Sequence, residues 1–409
     1  MDILQKKAIT ILLAGLFFNL SIGVLYAWSV IKTSLMTSPG WAWTSVQAGW
    51  PYTICLTMFA LGAFIGGRLQ DQFGPRWVVT TGGLFVGSGL LLSGYLGNNP
   101  TGVLICFGII TGLGIGLGYS GVTPPAFKWF HASQKGFVSG VIIGGFGFGA
   151  VFYAPIARSL LNNYTIEQTF IILGSVILLL SVSIAQLVKN PPVGYVPQTP
   201  KKIQNNSNQA IPSIDLKWNQ MIKTKSFYLM IILFLFVSSS GMMVVGNITN
   251  IANIQAGMTS AFLVSFIAMM NSTGRFFGGI ISDKIGRTNT LYLVIIIQAV
   301  NMLLFRFYTN EIAIIIGIIL AGSTFGGIMS VFPALTADRF GLKYYGVNYG
   351  IVYLFWGCSA LIAPVMADYL YEIYGNYNLA YIICSGILMI MIAVNYLLNK
   401  SIGNAFIRS

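Results

Sequence analysis

Apolar runs long enough to cross a bilayer follow one another along this whole chain, and few folds can accommodate that. Examples are 8–31, 103–119, 170–187, 227–244 and 291–304. A helix needs about 20 such residues to pass the hydrocarbon core, and it satisfies its own backbone polar groups on the way. Twelve spans are expected, near 8–32, 48–69, 77–97, 103–126, 136–160, 168–188, 227–249, 259–281, 289–308, 313–336, 347–370 and 379–399. The expected fold class is an all-α membrane protein. Composition agrees. Only 8% of the 409 residues are charged and mean hydropathy is +0.78, whereas a soluble domain carries roughly 25% charged residues. The first run is longer than a signal-peptide core, and no small-residue cleavage site leads into a polar start, so it reads as the first span.

A net charge of +13 would suggest nucleic acid on a soluble chain. The positions of the charges argue otherwise. With an even number of spans both termini share one side, and of the 22 Lys and Arg only Lys32, Arg158, Arg275 and Arg306 fall elsewhere. The positive-inside rule then places both termini in the cytoplasm, in a cell inner or plasma membrane. No nucleic-acid partner is expected. Cys55, Cys106, Cys358 and Cys384 all lie in apolar spans without metal-ligand spacing, and read as small buried hydrophobes. The only histidine, His131, falls in a short loop. No metal or cofactor is expected. One loop histidine and no deep carboxylates also argue against an enzyme.

One stretch interrupts the apolar pattern. Residues 190–226 open with Asn190-Pro191-Pro192 and hold Lys201, Lys202 and the polar tract 204–209. That is too polar to pack a core, so it reads as a cytoplasmic linker between an N-terminal half, 1–189, and a C-terminal half, 227–409. The halves match. Gly67, Asp71 and Gly74 recur as Gly279, Asp283 and Gly286, 212 residues later. Pro125-Ala126 recurs as Pro333-Ala334, and Gly136, Gly140 and Gly147 recur as Gly346, Gly350 and Gly357. Parallel six-span repeats are a transporter architecture, with substrate bound near the bilayer midplane. Spans four and five are rich in glycine between Gly112 and Gly149. Small residues let helices approach closely, and also permit the sliding that alternating access requires.

The repeated turns, Asp71-Gln72-Phe73-Gly74-Pro75-Arg76 and Asp283-Lys284-Ile285-Gly286-Arg287, are the strongest local signal. Glycine allows the tight reversal. Asp71 and Asp283 can cap a neighbouring helix end, where a carboxylate is favoured. Arg76 and Arg287 stay at the interface. The four are candidate parts of a cytoplasmic gate latch. This doubled motif, and the chain around it, resembles the major facilitator superfamily. Several stretches resemble one branch of it, the oxalate/formate antiporter and monocarboxylate transporter relatives. They are Gly23-Val24-Leu25-Tyr26-Ala27-Trp28-Ser29 in span one, Lys128-Trp129-Phe130 closing span four, and Asn271-x-x-Gly274-Arg275 in span eight. Val331-Phe332-Pro333 in span ten and Asn348-Tyr349-Gly350 in span eleven complete the set.

Among the charged side chains, Arg275 alone sits well inside a span; Arg158, Arg306 and Asp368 can reach an interface. A buried guanidinium costs several kcal/mol, so it should face a cavity or a partner, and no carboxylate lies at a similar depth. Its planar fork suits a carboxylate in two-point contact. Asn271, one turn earlier on the same face, can add a neutral hydrogen bond. The resemblance implies the same role, because the arginine at this place in the branch binds the substrate carboxylate.

Tyr26, Trp28, Tyr119, Phe325, Tyr353 and Trp356 stand where the branch lines its cavity. Aromatic walls suit a small ion, and tyrosine hydroxyls add directional bonds. One departure narrows the substrate. The antiporter has a second cation in span eleven, and aligned through Asn348-Tyr349-Gly350 and Gly357 that place is Trp356 here. Phe325 and Met329 replace an aromatic pair in span ten. One positive charge suits one carboxylate, and a dianion would leave net negative charge in a low-dielectric site. The expectation is a monomeric secondary transporter of a monocarboxylate of lactate, pyruvate, formate or acetate type. An oxalate/formate-type exchanger and a neutral-solute or drug exporter are the alternatives. Anion exchange, uniport and proton symport stay open. Asp368 is the nearest candidate for coupling to a proton.

Overall fold

The computed structural model describes residues 3–38, 40–197, 215–258 and 262–406. Lys201, Lys202 and the 204–209 tract of the linker lie outside them. Among the described residues, twelve long helical segments follow in chain order. α1 runs Ile3–Ile22, tightens into a 3₁₀ turn at Gly23–Ala27, and continues as Trp28–Thr37. α2 is Ser45–Phe73 and α3 is Pro75–Leu96. α4 begins at Pro100–Val103, passes through a π-helical stretch at Leu104–Thr111, and continues as Gly112–Trp129. α5 is Lys135–Asn163, α6 Ile166–Ala185, α7 Lys225–Ala256, α8 Phe262–Ile285, α9 Arg287–Phe305, α10 Glu311–Phe340, α11 Tyr345–Tyr374 and α12 Asn378–Phe406.

Eleven of these are long and apolar enough to cross a membrane. The twelfth, α8, is 24 residues long, about 36 Å at 1.5 Å per residue, which is long enough to span as well. It is less apolar because Asn271, Ser272, Thr273 and Arg275 occupy its centre. The helix that departs from the hydropathy of the others is therefore the one carrying the candidate anion anchor.

Local chemistry sets where helices begin and turn. Thr44 and Thr165 open α2 and α6 with capping boxes completed by Gln47 and Gln168, which satisfy amides that would otherwise lack acceptors. The two halves of the repeat turn alike. Gly74, between α2 and α3, has φ +84° and ψ 164°; Gly286, between α8 and α9, has φ +91° and ψ 156°. An L side chain is strained there, which explains why both turns keep glycine. Pro125 and Pro333 both lie inside their helices, which run on to Trp129 and Phe340.

The chain divides into two compact units. Unit one holds the described residues of 1–132, 145–215 and 341–353. It thus contains α1–α4, most of α5, α6 and the first turns of α11. Its core is aromatic. Trp28 stacks on Phe107 at 4.3 Å, and Phe18, Phe59, Phe127 and Phe170 are fully buried. Gly116 lets α4 lie against α2, because a Cβ there would strike the Phe59 carbonyl and the Ala63 amide.

Unit two holds the described residues of 133–144, 216–340 and 354–409, and so begins with the first turns of α5. Phe234 stacks on Phe332 at 4.1 Å, and Phe305 on Tyr381 at 5.3 Å. Gly326 lets α10 lie against the turn of α8 that carries Asn271 and Arg275, since a Cβ on it would meet the Asn271 carbonyl and the Arg275 amide. Three of the four cysteines are buried as expected, but Cys358 is exposed. An apolar span residue has to avoid water, and a lipid-facing position does that as well as a packed one.

Candidate functional site

In unit two, Arg275 is 3% exposed. Its Nε donates to Asn271 Oδ1 at 2.9 Å, and its Nη1 donates to the Ile143 carbonyl at 3.0 Å. Arginine can only donate, so Asn271 must present its oxygen to it and turn its NH₂ away. Gly140, on α5, makes room for this meeting, because a Cβ there would lie 2.6 Å from the Arg275 carbonyl. Among the described residues no carboxylate lies within ion-pair distance of Arg275. The guanidinium is thus oriented by two neutral acceptors while its charge stays uncompensated. Phe325 is buried on α10 with its ring over Gly241 of α7. Trp356 is buried on α11, and Met329 on α10.

The aromatic candidates of unit one form a cluster. The Tyr119 ring lies 5.3 Å from Tyr353, 5.2 Å from Phe59 and 5.6 Å from Phe146. Tyr26 joins through Phe146 at 5.5 Å. It sits in the 3₁₀ turn of α1, where helical winding changes, a feature that often marks a hinge. Gly23 opens the same turn and packs on α5, since a Cβ on it would meet the Phe146 carbonyl at 2.8 Å. Trp28 is placed differently. Its indole N–H is spent on the Ala48 carbonyl at 3.0 Å, and its ring lies on Phe107. Phe59 and Phe146 are cluster members that the motifs did not single out. A phenylalanine in an apolar span has no signature that distinguishes a wall from packing.

The two repeated turns hold two helix N-termini. In unit one, Asp71 accepts from the Gly346 amide at 3.2 Å and the Val347 amide at 3.0 Å, at the start of α11. In unit two, Asp283 accepts from the Gly136 amide at 2.8 Å and the Phe137 amide at 2.6 Å, at the start of α5. Both place a carboxylate where the helix dipole favours one. The arginines differ. Arg287 pairs with Asp283 at 2.6 Å and with Asp338 at 2.9 Å, and Asp338 also pairs with Lys135 at 2.9 Å. Arg76 turns instead to neutral Gln186, at 2.7 Å from Nε. Lys135 and Asp338 belong to this network without having been read from the motif. Asp338 was discoverable in principle, because the chain has only nine acidic side chains. Asp368 is exposed near the end of α11, beside Glu372.

Comparison with known proteins bears on this geometry. The model of the Major Facilitator Superfamily matches residues 8–305. An uncharacterized MFS-type transporter of Escherichia coli, YhjX, is 28% identical over 87% of this chain and 87% of its own. The oxalate:formate antiporter of Oxalobacter formigenes is 27% identical over 88% of this chain and 82% of its own. Mouse monocarboxylate transporter 2 is 27% identical over 88% of this chain and 77% of its own. A crystal structure of the fucose:proton symporter of Escherichia coli superposes with a TM-score of 0.72 at 14% identity, over 95% of this chain and 98% of that one, a likeness of fold. These relatives are transporters rather than enzymes, and they include the branch that the motifs resemble. The chain belongs to the Major Facilitator Superfamily, as a multi-pass membrane transporter.

Proposed function

We propose that this transporter carries a small organic anion with one carboxylate, of lactate, pyruvate, formate or acetate type, by alternating access. The environment of Arg275 carries the reading. Its acceptors, an amide oxygen and a backbone carbonyl, are both neutral. They orient the fork without cancelling its charge, so an arriving carboxylate gains charge-assisted hydrogen bonds that nothing already present supplies. Among the described residues Lys135 is also buried but is paired with Asp338, so Arg275 offers one uncompensated charge, which a monoanion matches and a dianion exceeds.

The remaining roles follow the same logic. Asn271 keeps Arg275 in position and can turn its NH₂ to the substrate. Tyr26, Tyr119 and Tyr353 supply aromatic wall and hydroxyls, and Trp28, Phe325 and Trp356 complete the apolar surround. Asp71, Arg76, Asp283 and Arg287 form latches that break and re-form on one membrane face. Asp368 is the candidate group for coupling to a proton. The halves 1–189 and 227–409, joined by the linker 190–226, work as one monomer with both termini in the cytoplasm, in an inner or plasma membrane.

Uptake by proteoliposomes tests this, using labelled lactate, pyruvate, formate, acetate and oxalate together with a neutral sugar. Monocarboxylate uptake should be saturable and should disappear in Arg275→Ala and Arg275→Lys. Undiminished uptake by either variant would remove the site assignment. Exchange of oxalate for formate is the second reading, supported by the 27% identity to the oxalate:formate antiporter. Faster oxalate counterflow than monocarboxylate uptake would favour it.

A further inference from the structure

We propose that a groove between α1, α5 and α6 binds an anionic phospholipid, one acyl chain lying in the groove and the phosphate resting among Lys6, Lys7 and Lys189. The groove lies wholly within unit one and encloses about 340 Å³. Leu13, Phe17 and Leu20 form one wall, and Leu180, Ile184 and Leu187 the other. Leu13, Phe17, Leu180 and Leu187 are exposed. The polar groups that border it are already engaged. Tyr153 donates to the Ser21 carbonyl at 2.8 Å, Ser21 to the Phe18 carbonyl at 2.7 Å, and Thr10 to the Lys6 carbonyl at 2.9 Å. No directional donor there is left for a polar ligand, so the occupant is apolar along its length.

Charge at one end selects its headgroup. Lys6, Thr10, Leu13, Phe17 and Leu20 recur at helical spacing and share one face of α1, so the apolar stripe ends in a lysine, with Lys7 adjacent. On the facing side Leu187 leads within two residues to Lys189, whose carbonyl accepts from Trp129 Nε1 at 2.8 Å and is thereby held in place. All three lysines are exposed, and among the described residues no carboxylate lies within ion-pair distance of them. An apolar channel that opens onto three lysines with no carboxylate partner among the described residues matches a phospholipid with a negative headgroup. A free phosphate would leave the groove empty, and a neutral lipid would leave the cations unmatched.

Native mass spectrometry on the full chain tests this, after delipidation in detergent and titration with equimolar phosphatidylglycerol and phosphatidylcholine. The first phosphatidylglycerol should bind about tenfold or more tighter than phosphatidylcholine. The surface variant Lys6→Gln/Lys7→Gln/Lys189→Gln should reduce that preference to about twofold or less. Leu187→Glu, which adds a carboxylate at the mouth, should abolish it with all three lysines present. The control Lys217→Gln/Lys223→Gln/Lys225→Gln, at three other exposed lysines, should keep it. Equal binding of the two lipids by the wild type, or an equal loss in the control, overturns the proposal. So does a mass showing a second copy of the chain that excludes lipid.

Discussion

Asn271 and Arg275 form a side-chain pair at the heart of α8, with the amide oxygen 2.9 Å from the guanidinium Nε. The pairing makes a prediction that separates orientation from charge. Asn271→Ala removes an acceptor and should lower transport efficiency by about ten- to a hundredfold, the effect of losing a hydrogen bond to a charged group, ~1.5–3 kcal/mol. Asn271→Asp keeps the geometry but adds a negative charge beside Nε. It would satisfy Arg275 internally and compete with the substrate. Concentration-dependent uptake should therefore fall further in Asn271→Asp than in Asn271→Ala. The opposite order would mean that Arg275 needs no vacancy in its charge balance.

The glycine opposite that pair should be irreplaceable for a steric reason. A Cβ on Gly326 would meet the Asn271 carbonyl and the Arg275 amide, which are backbone atoms and cannot rotate away. Gly326→Ala should destabilise the protein by ~1–3 kcal/mol, as overpacking does, and displace the anchor. Gly386→Ala is the control, because nothing lies within 4 Å of that added carbon. Thermal unfolding in detergent, followed by intrinsic fluorescence, compares the two. A Gly326→Ala variant as stable as Gly386→Ala would show that α8 and α10 can separate freely.

The architecture was legible because its determinants are local. Apolar run length announces each span, and Gly74 and Gly286 announce the repeated turn through a backbone conformation that other residues resist. Arg275 was legible because an ion in hydrocarbon is costly wherever its neighbours lie. Its partner Ile143 was not, since the group that matters is a carbonyl that every residue possesses. The Lys135–Asp338 pair spans 203 positions, and no periodicity links residues so far apart. Trp28 was legible as an aromatic of span one, but its partners, the Ala48 carbonyl and the Phe107 ring, were not, because they lie on other helices.

The two latches should respond unequally to the same substitution. Asp71 makes its two amide contacts without an arginine, whereas Asp283 makes two amide contacts and also pairs with Arg287, both side chains being 11% exposed. Removing one partner of a mostly buried pair costs several kcal/mol; losing charge at a helix cap costs ~0.5–2 kcal/mol. Hydrogen exchange reads each site directly. Protection of the Gly136 and Phe137 amides should drop at least about tenfold more in Asp283→Asn than that of Gly346 and Val347 drops in Asp71→Asn. Equal losses would show that the ion pairs contribute nothing to the second latch.

A carboxylate used for coupling should matter for the driving force and not for binding. Asp368 is exposed near the end of α11, away in sequence from Arg275. If it exchanges the coupled proton, Asp368→Asn should abolish uptake driven by an inward-directed proton gradient, with the outside acidic. Counterflow of labelled against unlabelled monocarboxylate at equal pH should continue at close to the wild-type rate. Loss of both would make Asp368 part of the binding or folding machinery, and retention of both would take the proton elsewhere.

The number of cations near the bound anion should set its charge preference. The resemblance through Asn348-Tyr349-Gly350 implies a second positive charge in the antiporter branch at the place of Trp356, which is buried on α11 here. Introducing a cation there should matter little for a monoanion, because Arg275 already matches its one charge. A dianion has a second charge to match, and in a site of low effective dielectric a nearby opposite charge is worth on the order of 3 kcal/mol. Trp356→Lys should therefore raise the oxalate-to-acetate ratio of uptake efficiency by about tenfold or more, even if both absolute rates fall with the loss of the indole. Ratios are the proper reading, since packing damage lowers both substrates together. Trp356→Leu separates the remaining cause. It removes the indole without adding charge, and it should leave the ratio where the wild type has it. A ratio that rises equally in both variants would assign the discrimination to the size of Trp356 and not to the missing charge.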